Sequence, residues 1–153
     1  MDMFLRAAVD KAREEMMASV EEGTVCPCCK RYIKLYRRHV NKSMVEALEW
    51  LVRISEEGRR WVNMSKEAPA KFTKSFQVGT LKYWGLIEQK PVEGNGKART
   101  SATWRPTSSG VRFIRGEMTV PKYAKVLCDK VVGFSDDRVF VHDVVEGFYW
   151  SGV

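Results

Sequence analysis

Histidine is nearly missing from this chain, which has only His39 and His142 among its 153 residues. Neither lies in a nucleophile, metalloprotease or phosphate-loop motif, so nothing in the sequence supports catalysis and no enzyme is expected. The acidic pair Asp136-Asp137 reads as a turn former rather than a metal site. Long apolar runs are absent too: none approaches the roughly 20 residues that a membrane-spanning helix requires. The opening segment, MDMFLRAAVDKAREEMM, is too charged for a secretory signal, so a cytoplasmic location is expected. Cysteine is sparse, and in a reducing compartment its four copies are expected to be free or metal-bound rather than disulfide-bonded.

Acidic side chains are outnumbered, 19 against 26, and the excess is uneven along the chain. Residues 1–25 hold three basic and six acidic side chains, whereas residues 26–42 hold six basic and none acidic. Residues 63–106 hold eight against three. Positive charge concentrated in two segments is the electrostatic pattern of a nucleic-acid binder, although a basic soluble protein without such a partner carries the same net charge.

Hydrophobic content of 44% argues for a folded chain, and its periodicity places the elements. Phe4, Leu5, Ala8, Val9, Ala12, Met16 and Val20 repeat at helical spacing over residues 2–22, with Gly23 as the stop. Cys26 and Cys29 then form a CxxC pair with Pro27 in the turn and Cys28 as a further thiol. That spacing lets two thiolates meet one zinc ion, but a structural site takes four ligands. His39, Cys128 and His142 are the candidates to complete it, and the alternative is small apolar cysteines packed in a turn. In the basic run that follows, Lys34, Arg37 and Arg38 can lie along phosphates while Tyr32, Ile33, Leu35 and Tyr36 anchor the segment. A central helix is expected over Ser43–Glu57, capped by Ser43 with Glu46 three residues on. A short strand at 61–64 and a brief helix from Ser65, interrupted by Pro69, come next.

The stretch from Phe72 to Gly116 organises the rest. Phe72–Trp84 reads as an amphipathic helix with Phe76, Leu81 and Trp84 on its apolar side, closed by Gly85. A strand begins at Leu86-Ile87-Glu88, Glu93–Lys97 forms a glycine-rich turn, and Thr100–Arg105 returns as a second strand ended by Pro106. Thr107 then caps a further helix. YWGLIEQKP (83–91) followed by WRPTSSGVRFIRG (104–116) resembles the winged helix-turn-helix regulators of the MarR type. The resemblance covers about Ser43 to Glu117. It implies a recognition helix at 72–84, a wing at 93–99, duplex DNA as partner and a dimer built from terminal helices. On that reading Lys71, Thr73, Lys74, Ser75, Gln77 and Lys82 face the DNA from the helix, and Lys97, Arg99 and Thr100 from the wing. The CPxC-then-KLYRR arrangement is similar to one in small uncharacterised bacteriophage proteins, which suggests a phage origin.

After residue 118 the sequence leaves that family pattern. Lys122–Leu127, Val131–Phe134 and Arg138–Val141 read as a three-stranded meander, followed by an aromatic tail with Phe148, Tyr149 and Trp150. Such a tail should be buried, against the body or against a partner. The expected fold is therefore α+β: an N-terminal helix and basic Cys-rich linker (1–42), a winged helix-turn-helix (43–118) and a C-terminal meander (119–153). The expected function is DNA binding by a transcriptional regulator of phage or bacterial origin. The rival is a phage interaction module that uses the same fold to bind a host polymerase, nuclease or defence complex.

Overall fold

The computed structural model describes residues 2–73, 77–91 and 102–151. In chain order the elements begin with α1 (Met3–Ser19), β1 (Thr24–Val25), β2 (Tyr32–Ile33) and β3 (Tyr36–His39). Then come α2 (Lys42–Ile54), β4 (Val62–Asn63), α3 (Met64–Glu67), α4 (Ala70–Thr73) and a 3-10 helix (Gln77–Trp84). They continue with β5 (Ile87–Gln89), β6 (Thr103–Pro106), α5 (Ser108–Ile114), β7 (Val120–Pro121), β8 (Tyr123–Leu127), β9 (Lys130–Phe134), β10 (Arg138–Val139) and α6 (Val141–Val144). The class is mixed α and β with small antiparallel sheets. Among the described residues no helix is long and apolar enough to cross a membrane.

The chain divides into two compact units. The first comprises Met1–Arg38 and Tyr123–Phe134, the second His39–Lys122 and Ser135–Val153. In the first unit Asp2 caps α1, its carboxylate accepting from the Phe4 N–H. β1 and β2 form a short antiparallel hairpin with Thr24 opposite Ile33. β8 and β9 pair antiparallel through a tight turn in which Cys128 and Asp129 both take positive φ, and β3 lies on the other side of β8. The expected C-terminal meander therefore does not form as such. Its third strand is β3, from the basic linker, while β10 pairs with β7 in the second unit. Strand pairing is non-local, and the short spacing between β9 and β10 does not decide it.

The second unit is built on α2. Met44, Val45, Ala47, Leu48, Leu51 and Val52 are all buried, and they meet Leu81, Leu86, Phe113 and Ile114. The cap of α2 is Asn41 rather than Ser43: its side-chain oxygen accepts the Met44 N–H at 2.9 Å. Asn is as good a cap as Ser and already sits in an extended conformation here. The helix stops at Ile54, and Glu56, Glu57 and Gly58 follow with positive φ. That run is held by the Glu57 N–H to Val52 O and by an ion pair from Arg115 to Glu57.

β6 lies between β4 and β5, all antiparallel, with Ile87 opposite Pro106 and Val62 opposite Trp104. The root of the β5–β6 pair is fastened to α5. Thr107 donates its hydroxyl to Gly85 O and accepts the Gly110 N–H, as the expected cap. A Cβ placed on Gly110 would lie 2.1 Å from the Leu86 carbonyl oxygen, so only glycine lets α5 approach this closely. Gly110→Ala should lower the unfolding free energy by about 2–3 kcal/mol in chemical denaturation. Ser108→Ala, an exposed neighbour, should change it by less than about 0.5 kcal/mol. Equal stability of the two variants would refute the contact.

Candidate nucleic-acid interface

Residues 63–84 carry most of the side chains expected to face DNA, and the local chemistry explains their shape. Pro69 has no N–H to give and forces Ala68 into an extended conformation (φ −76°, ψ 141°). The backbone therefore makes two four-residue turns, α3 and α4, instead of one helix. Asn63 caps α3 by accepting the Lys66 N–H, and the Glu67 carboxylate returns to accept the Asn63 N–H at 2.8 Å. Arg60 adds an ion pair to the same carboxylate at 2.9 Å.

The expected recognition helix is not one continuous α-helix. Its start falls in α4 and its end in the 3-10 helix, with Lys74 and Ser75 outside the described residues. Val78, Gly79 and Thr80 are weak helix formers, and the tighter 3-10 winding still buries Val78 and Leu81. The far end is pinned by the Trp84 indole N–H, which donates to Pro121 O at 2.9 Å.

The expected contact residues fall into distinct settings. Lys71 is exposed on α4 with its ammonium 4.9 Å from the Phe72 ring centre, and Lys82 is exposed on the 3-10 helix beside Tyr83. The Thr73 hydroxyl is spent locally, donating to Ala70 O. Lys97, Arg99 and Thr100 of the wing, and the side chain of Gln77, lie outside the described residues. Lys34, Arg37 and Arg38 belong to the other unit. There, Arg37 stacks over Tyr123 at 5.4 Å and Arg38 over Tyr36 at 5.7 Å, on an exposed strand at the sheet edge.

Four arginines of the second unit are engaged with carboxylates. Arg53 pairs with Glu49, Arg60 with Glu67, Arg105 with Glu88 and Arg115 with Glu57, and Arg105 also covers Trp61. Lys66, Lys71, Lys82 and Lys90 are exposed and form no ion pair among the described residues. Sequence reading had not singled out Lys66 or Lys90. The carboxylates nearest them in sequence, Glu67 and Glu88, pair with Arg60 and Arg105 instead, which only the fold reveals.

The CxxC pair sits at the tip of the β1–β2 hairpin. Cys26 N–H donates to Arg31 O at 2.8 Å, Lys30 N–H returns to Cys26 O at 2.9 Å, and Lys30 takes a positive φ. Backbone N–H groups of Cys29 and then Cys28 donate to the Cys26 sulfur, and together with the Cys29 thiol they hold its pKa below the ordinary thiol value. Among the described residues no group of three or more His, Cys, Asp or Glu side chains is arranged to hold a metal ion. His39 lies at the end of β3, Cys128 in the β8–β9 turn and His142 beside Asp143. No protein-family model matches the chain, and no curated protein or solved structure matches it either.

The Glu67 carboxyl is held below its ordinary pKa, first by the hydrogen bond from Arg60 and then by the Asn63 N–H. Its stabilising effect is therefore complete above the unfolded value of about 4.3 and is lost as pH falls through the lowered folded value. Glu67→Gln should flatten the dependence of melting temperature on pH below about 4.3 and lower that temperature at neutral pH. Parallel pH curves for the two proteins would show that this cap contributes nothing.

Proposed function

We propose that this protein binds duplex DNA as a winged helix-turn-helix of the kind that MarR-type regulators resemble, and that it acts as a transcriptional regulator. The observation that carries the reading is topological. The order α2, β4, α3–α4, 3-10 helix, β5, β6, with β6 between its two neighbours, is the order of helices and strands in a winged helix. On this reading residues 93–99, which lie outside the described residues, are the wing, and the segment 72–84 enters the major groove. The exposed lysines of that unit supply phosphate contacts, while Arg53, Arg60, Arg105 and Arg115 stay engaged with their carboxylates. Lysine contributes a point charge rather than a bidentate fork, so the affinity is electrostatic and base discrimination rests on Gln77 and the Ser and Thr residues.

Four phosphate contacts give a salt slope near −3.6, so binding should fall about 100-fold between 50 and 200 mM salt. A mobility-shift assay on random duplex DNA across that range measures it. Lys71→Ala with Lys82→Ala should reduce the slope by about two and weaken binding evenly across sequences. Replacing Gln77 should instead change which sequences are preferred, in a selection from randomised duplexes. An absence of any shift at low salt sinks the DNA reading and favours the rival.

That rival, a module docking on a host protein complex, draws support from the first unit, where α1 exposes Met3, Phe4, Leu5 and Met17. The aromatic tail favours it less than its composition suggests. Phe148 and Trp150 pack on the core of their own unit, and the Arg53 guanidinium lies 4.6 Å from the Trp150 ring centre. Tyr149 alone of the three is fully presented to solvent.

A further inference from the structure

The first unit is short of apolar interior. Its buried apolar residues are Val20, Ala124 and Val126, and α1 buries none along its whole length. The same unit exposes Met3, Phe4, Leu5, Met17, Val25, Val132 and Phe134. Small units with little core depend on a structural metal, a disulfide or a partner chain. Its cysteines are free thiols, which leaves the first and the last of these.

The hairpin tip supplies half of a metal site. CxxC places two thiols on one side of a tight turn, which is closed by the Cys26 N–H to Arg31 O, the Lys30 N–H to Cys26 O and the left-handed Lys30 backbone. Zinc requires four ligands in a tetrahedron. All the cysteines and histidines of the chain are among the described residues, and they assemble no third ligand around this pair. A second copy of the same hairpin supplies two more thiols of the same kind.

We propose that Cys26 and Cys29 from each of two copies of this chain hold one zinc ion between them in a four-thiolate site. Binding releases one proton from each thiol to solvent and leaves the centre with two negative charges, since four thiolates surround one divalent cation. Lys30 and Arg31, next in sequence at each hairpin, offset that charge. A hairpin-to-hairpin junction also gives the exposed face of α1, which precedes the hairpin in the same unit, a second copy of itself to pack against. The inference does not depend on DNA binding.

The test uses the full chain, purified reduced and free of metal, and titrated with zinc alone or with cobalt(II) as its spectroscopic substitute. The expected result is one metal ion for every two chains, a mass in light scattering that doubles on metal addition and returns with a chelator, and the cobalt spectrum of a tetrahedral four-thiolate centre. Cys26→Ser and Cys29→Ser should each abolish metal uptake and the mass change, whereas Cys28→Ser and Cys128→Ser should keep both. Circular dichroism of each variant separates loss of the site from loss of the fold, and the stoichiometry of the wild-type chain decides the matter if a variant unfolds. One metal per monomeric chain, no uptake at all, or a dimer that ignores chelator and yields only to reductant would each overturn the proposal.

Discussion

Everything in the larger unit depends on one buried stripe. Val45, Leu48, Leu51 and Val52 of α2 have no exposed surface, and the 3-10 helix, β6 and α5 all rest on that helix. Burying a side chain of this size stabilises by about 1.5–3 kcal/mol. The stripe therefore outweighs any single ion pair on the surface of the unit, where exposed pairs contribute about 0–1 kcal/mol. The arginine–carboxylate pairs act on a different level. They settle which cations are already engaged and which remain available to a partner.

Much of the architecture was legible because its signals are local. The apolar spacing of α2, the Gly85 stop, the Thr107 cap and the strands on either side of residues 92–101 all follow from residues within one or two turns of each other. The cap of α2 was misplaced by two residues because Asn41 and Ser43 are equivalent cap formers, and only the backbone conformation chooses between them. Phe72–Trp84 was read as one helix because its apolar residues fit a helical period. The weak formers Val78, Gly79 and Thr80 are the local evidence against it. The C-terminal strands were identified as strands but assigned the wrong neighbours. A sequence gives the alternation of a strand but not the edge it joins, and β3 and β10 exchanged places relative to the simplest meander.

The candidate interface was less legible than the fold. Charge density along the chain pointed to residues 63–106, but it counted arginine and lysine alike. In the folded unit Arg105 of that segment meets Glu88, and Arg60 and Arg115 on either side of it meet Glu67 and Glu57, so sequence charge overstates what a polyanion can reach. The same folding information reduces the metal candidates. His39, Cys128 and His142 were reasonable on composition, yet among the described residues no group of three or more such side chains is arranged to hold a metal ion.

The division into two units also partitions the chromophores. All five tryptophans, at positions 50, 61, 84, 104 and 150, belong to the larger unit, whereas the smaller one holds Tyr32, Tyr36 and Tyr123 and no indole. Indole emission excited at the red edge of the absorption band thus reports one half of the molecule and is blind to the other. A melting curve followed by that emission alone describes the larger unit, and events at the cysteine hairpin leave their optical trace in tyrosine.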